Sequence, residues 1–98
     1  MLVNRRTFNV KRGQTDEAVA LVKAEIEQFS SYTHAFRIYS PETGSFDVVA
    51  VEWEYENLEE YERIWAEWGA TPEAATFMEK WYDLTERGGT NEIWRLAE

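Results

Sequence analysis

The chain has 98 residues, no cysteine and a formal net charge of −9, with 19 Asp and Glu against 10 Lys and Arg. An acid surplus on this scale argues against nucleic-acid or anionic-membrane partners, because phosphate contacts require clustered Lys and Arg. The lack of cysteine excludes a disulfide framework, a thiolate metal site and a cysteine nucleophile.

Hydrophobic residues at 44% and aromatic residues at 15% supply one packed domain spanning residues 1–98, so disorder is not expected. The opening MLVNRRTF has no apolar h-region, and the longest apolar run, Ala18 to Val22, is far short of a membrane span. The expectation is a cytoplasmic protein.

Residues 2–10 read as a first strand, with Leu2, Asn4, Arg6, Phe8 and Val10 on one face. Lys11-Arg12-Gly13 is a turn. Thr15 is placed to cap a first helix, with Asp16 and Glu17 favourable to its dipole, and Val19, Val22, Ile26 and Phe29 form its apolar stripe. Ser30-Ser31 ends it. Residues 33–39 alternate as a second strand, with His34, Phe36 and Ile38 on one face. The turn around Pro41 and Gly44 joins it in a hairpin to a third strand within 46–55. There Val48-Val49-Ala50-Val51 is apolar at successive positions, which predicts a strand covered on both faces.

Asn57 and Glu60 form a capping-box signal for a second helix, whose stripe is Leu58, Tyr61, Trp65 and Trp68. Gly69 is expected to end it in a left-handed cap. Thr71 and Pro72 open a third helix, with a stripe of Ala74, Phe77 or Met78, Trp81 and Leu84. Gly88-Gly89 closes that segment, and residues 91–96 make a short last strand.

The order β-α-β-β-α-α-β predicts an α+β, ferredoxin-like plan: a four-stranded antiparallel sheet with helices on one face. Right-handed crossovers put the first and third strands at the centre. The helices cover only one face, and no element remains for the other. Homodimerisation through the open sheet face is the simplest way to cover it.

The residues Arg6-Thr7-Phe8-Asn9-Val10-Lys11-Arg12-Gly13 resemble the first strand and turn of the NIPSNAP-like family within the dimeric α+β barrel superfamily, with Arg12 where that family usually has proline. Trp53-Glu54-Tyr55 followed by Asn57-Leu58-Glu59-Glu60 is similar to its passage from strand to helix, and Thr71-Pro72-Glu73 with Phe77 to its second helix start. The resemblance covers most of the chain and implies the dimeric barrel fold. It implies no assigned activity. Relatives in the superfamily include cofactor-independent monooxygenases and haem-degrading enzymes. The latter resemble this chain at Asn4, Trp65 and Trp68 but need a histidine on the helical side; the one histidine here, His34, stands on the second strand, so haem degradation is not expected.

Candidate polar residues for chemistry are Arg6, His34 and Glu52. His34 alone has an ordinary pKa near neutrality, although a strand-end histidine at the sheet margin is the plainer reading. Arg6 and Glu52, on neighbouring strands, are expected either to pair or to bind a carboxylate or quinone-like oxygen. Trp65, Trp68 and Trp81 lie on helix stripes, where they serve as ordinary core or wall a flat aromatic pocket with Arg6 as anchor. Acids on the helices, Glu25 among them, read as a solvated face. No paired-His spacing, Gly-rich phosphate loop, nucleophile elbow or carboxylate dyad is present, so no metal or organic cofactor is called for.

Two functions are therefore carried forward. One is a dimer holding a small apolar or aromatic ligand between sheet and helices, with any catalysis cofactor-independent and monooxygenase-like. The other is a non-catalytic dimerisation or interaction module with a filled core.

Overall fold

Strand-forming residues at both ends of the chain meet in one sheet. The computed structural model describes residues 1–97 and has the elements β1 (Leu2–Asn9), α1 (Thr15–Gln28), β2 (Phe36–Tyr39), β3 (Val48–Tyr55), α2 (Leu58–Gly69), α3 (Pro72–Leu84) and β4 (Thr90–Arg95). The sheet order is β2-β3-β1-β4 and every pairing is antiparallel. The most apolar strand, β3, is central, as burial on one complete face requires.

Alternation sorts the sheet into two faces. Leu2, Asn4, Val49, Val51, Trp53 and Tyr55 face the helices and are buried. Ala18 and Val22 of α1, Ile64 of α2, and Ala74, Phe77 and Trp81 of α3 complete the core from the other side. Among the described residues the opposite sheet face has no element over it. It is not apolar throughout: Val48 and Ala50 give way to Glu52 and Glu54, which take Arg5 and Arg37 as partners. Tyr39 and Trp94 stand exposed on the same face.

Three local expectations need correction. Thr15 does not cap α1: Gln14 occupies the N-cap without a side-chain bond, and the Thr15 hydroxyl donates to Asp47 Oδ1 at 3.0 Å. Asp47, which also accepts the Gly13 N–H, serves this helix start from across the β2–β3 connection, a long-range partner that no local pattern reveals.

Gly69 does not end α2 in a left-handed cap. It is the last helical residue, and Ala70 follows in right-handed geometry. The break comes from Pro72, whose ring forces the preceding Thr71 into an extended conformation (φ −78°, ψ 149°). Thr71 then caps α3 by accepting from the Ala74 N–H at 3.3 Å while its hydroxyl donates to the Trp68 carbonyl at 2.7 Å.

Finally, Leu58 at the head of the α2 stripe is 51% exposed, whereas Ile64, outside that stripe, is 6% exposed and belongs to the core. The buried face of α2 is Tyr61, Ile64, Trp65 and Trp68, at i, i+3, i+4 and i+7, and leaves Leu58 out. Trp65 and Trp68 pack against the core while staying only partly buried.

Candidate functional site

A cavity of about 580 Å³ separates the helical layer from the sheet. Its walls are aromatic and apolar: Trp53 and Tyr55 from β3, Trp65 and Trp68 from α2, and Phe77 and Trp81 from α3. The rings form a continuous series of contacts. Trp65 meets Trp53 edge-on at 5.3 Å and Trp68 at 5.8 Å; Trp68 meets Phe77 at 5.6 Å, and Phe77 stacks on Trp81 at 5.4 Å.

Arg6 enters this space from β1. Its guanidinium carbon lies 3.9 Å from the Trp65 ring centre, so one face of the cation is covered by an aromatic plane. Nη2 donates to the Tyr61 hydroxyl at 3.0 Å and Nε to Asn4 Oδ1 at 3.2 Å. Asn4 is wholly buried, and its amide nitrogen donates to Asn91 Oδ1 at 2.7 Å and to the Glu92 carbonyl at 2.9 Å. With both amide hydrogens committed to oxygens, its own oxygen has to face the arginine donor, which fixes the amide orientation. Asn4 therefore aims Arg6.

Arg6 does not pair with Glu52. β1 and β3 pair with Arg5 opposite Glu52 and Arg6 opposite Val51, so Glu52 lies on the open face. There it accepts from Arg5 Nε at 2.8 Å and from the Tyr39 hydroxyl at 3.0 Å. Burial by itself would raise the Glu52 carboxyl, but these donors outweigh it and the group ends below its ordinary value. Adjacent strands alone do not fix the register, and an offset of one residue is enough to put Arg6 and Glu52 on opposite faces.

His34, expected on the second strand, precedes it, because β2 begins only at Phe36; it stands apart from the cavity walls, with its Nε2 2.8 Å from Glu60 Oε1. Glu60 is held below its ordinary value first by the Glu56 N–H that it accepts and then by His34. This carboxylate ties the head of α2 to the segment before β2. Of the sequence candidates, the fold brings Arg6, Trp65, Trp68 and Trp81 to one cavity and leaves His34 and Glu52 outside it.

Glu25, expected on a solvated face, lines the cavity and accepts from Trp68 Nε1 at 2.8 Å and Gln28 Nε2 at 2.9 Å. Tyr32 is a further wall residue. Burial pushes its phenol up to about 12, and its oxygen bonds the backbone of Glu54 and Ala35. Trp65 Nε1 is buried with no acceptor at hydrogen-bonding geometry, although it sits near enough to Tyr55 to favour that residue's phenolate slightly; burial dominates, and the Tyr55 phenol is raised. Asn4 and Tyr61 were legible as neighbours of Arg6, being two residues away on its strand face and on the α2 stripe. Glu25 gave no such signal. Among the described residues no group of three or more His, Asp and Glu is arranged to hold a metal ion, and no helix is long and apolar enough to cross a membrane.

A four-stranded antiparallel sheet carrying three helices on one face, with an aromatic cavity between the layers, defines a ferredoxin-like α+β protein. The chain belongs to the NIPSNAP family, whose sequence model matches residues 3–96. A NIPSNAP family protein with unknown function from Agrobacterium tumefaciens is 25% identical, with a TM-score of 0.85 over 99% of this chain and 88% of that one. An uncharacterized NIPSNAP domain protein from Burkholderia xenovorans is 19% identical, with a TM-score of 0.84 over 99% and 95%. An antibiotic biosynthesis monooxygenase shares the fold at 12% identity, with a TM-score of 0.74 over the whole of both chains. Comparison with curated proteins gave no match.

Proposed function

We propose that this NIPSNAP protein binds a flat apolar or aromatic small molecule between its sheet and helices, with Arg6 as the polar anchor. The observation that carries this reading is the cavity of about 580 Å³, walled by aromatic rings and entered by one oriented guanidinium. Its size suits a small organic ligand, and apolar walls with a few placed polar groups are the usual make-up of such sites. A filled core, which a pure interaction module would have, is the reading this space argues against.

The fold shared with an antibiotic biosynthesis monooxygenase supports a further step, oxygenation of the bound molecule without a cofactor. Binding is the more strongly supported half, because His34 and Glu52 lie outside the cavity and leave Glu25 and Glu86 as its carboxylates.

The working form is proposed to be a homodimer joined through the open sheet face. Val48, Ala50, Tyr39 and Trp94 offer apolar surface there, flanked by the Arg5–Glu52 and Arg37–Glu54 pairs. A stable interface needs about 800 Å² per partner.

The ligand reading is tested by titrating a panel of naphthoquinones and naphthalene derivatives while following tryptophan emission. Saturable quenching that weakens when Trp68 is replaced by Leu is expected. Absence of quenching across the panel, with a normally folded protein, would return the interaction module as the better reading.

A further inference from the structure

We infer that the ligand is an anion: an oxygen acid, a carboxylate above all, on a flat apolar skeleton, with its charge seated on Arg6. This rests on the ligand-binding reading above and narrows it.

The inference starts from charge partners. Acids outnumber bases 19 to 10 in this chain, and Arg5, Arg37 and Arg63 each take a carboxylate, from Glu52, Glu54 and Glu67. Arg6 does not. Among the described residues no carboxylate lies within ion-pair distance of it, although it is partly buried and the supply of acids is ample. Its partners are a neutral amide, a phenol and an indole face.

A partly buried cation packed under an aromatic ring without a counter-charge forgoes the stabilisation that a neighbouring acid would give, and acids are in ample supply here. Two of its five N–H groups are used, one on Nε and one on Nη2. Three remain, both on Nη1 and one on Nη2, in the plane of a fork whose flat side Trp65 already covers. Three in-plane donors suit the paired oxygens of a carboxylate better than a lone ketone oxygen.

The other charged groups lining the cavity fit this assignment. Glu25 is engaged by Trp68 and Gln28, and Glu86 stands with Arg87 in the segment between α3 and β4. Arg6 is the cation set among the rings. A neutral quinone would leave its charge uncompensated; a carboxylate neutralises it and puts its rings against Trp65, Trp68 and Trp81.

The test compares isosteric pairs, 2-naphthoate with 2-naphthamide and anthracene-9-carboxylate with its amide, by tryptophan quenching and calorimetry at neutral pH. The acid is expected to bind about 10- to 100-fold more tightly than its amide, as a hydrogen bond between charged groups implies. In Arg6→Met that preference should vanish while amide binding stays near the wild-type value, and Arg87→Met should leave the preference in place. Arg6→Gln serves the same comparison if the methionine variant folds poorly, with circular dichroism as the check.

Equal or tighter binding of the amides by the wild type overturns the inference and leaves the pocket standing. So does a preference that survives in Arg6→Met or disappears in Arg87→Met. If neither acids nor amides bind, the ligand-binding reading falls and the inference with it.

Discussion

The guanidinium of Arg6 lies 3.9 Å from the centre of the Trp65 ring, and the two side chains come from opposite layers of the fold, β1 and α2. Both side chains line the cavity, so Trp65 is both a wall and a support for the cation. A side chain that faces a cavity leaves fewer packed contacts when removed than one in a closed core.

Trp65→Ala is therefore expected to cost about 2–3 kcal/mol, below the range for a fully packed tryptophan, while Ile64→Ala costs about 2–4 kcal/mol despite its smaller side chain. Leu58→Ala, at an exposed position, should stay within about 0.5 kcal/mol. Urea titrations of the three variants check the order. A large loss at Leu58 would mean that the buried face of α2 is misassigned.

Glycines separate by conformation. Gly69 has open space around it and helical geometry, so Gly69→Ala should stabilise by up to about 1 kcal/mol. Gly89 has φ +95°, and a Cβ there would collide with the Thr7 carbonyl oxygen. Gly89→Ala should cost about 3 kcal/mol or more by straining the β1–β4 pairing. Thermal melts with opposite signs are the expected outcome.

On the open face, Val48→Glu should convert a dimer to monomer, because it puts a charge into the apolar half of the proposed interface. Val49→Glu should instead unfold the chain, since Val49 is fully buried against the helices. Sedimentation distinguishes the two. A wild type that sediments as monomer at micromolar concentration would remove the dimer.

Acid should weaken the fold partly through Glu52. Its carboxyl is held below the ordinary 4.5, so it contributes stability above that pH and loses it as pH falls through the lower folded value. Glu52→Gln should flatten the stability curve below pH 4.5, where the wild type begins to lose this contribution. With Arg5 half exposed, the coupling measured in a double-mutant cycle should stay within about 1 kcal/mol.

Alkali acts through the tyrosines on the helix side of the sheet. Burial pushes the Tyr32 phenol from 10.0 up to about 12 and raises Tyr55 as well. The fold favours the neutral phenols, so stability is complete below pH 10 and drains as pH rises toward 12. Phenolate absorbance should show these two groups ionising together with loss of tryptophan circular dichroism, and Tyr32→Phe should reduce the loss. Early ionisation without unfolding would place Tyr32 in solvent.

Periodicity and caps by themselves determined the element order, the central place of β3 and the shared face of Leu2, Asn4, Arg6, Phe8 and Val10, because local backbone preference and burial speak through spacing of two and of 3.6. The Thr71-Pro72 helix start was legible for the same reason. Only the tertiary structure decided the β1–β3 register, which gives Glu52 to Arg5 and frees Arg6, since a slip of one residue is invisible in composition yet exchanges the two faces of a strand. It alone decided that Trp65 and Trp68 face a cavity: an apolar stripe is the same pattern whether the layer opposite is packed or stands off, and that spacing is set by rings and helices that meet only in the fold.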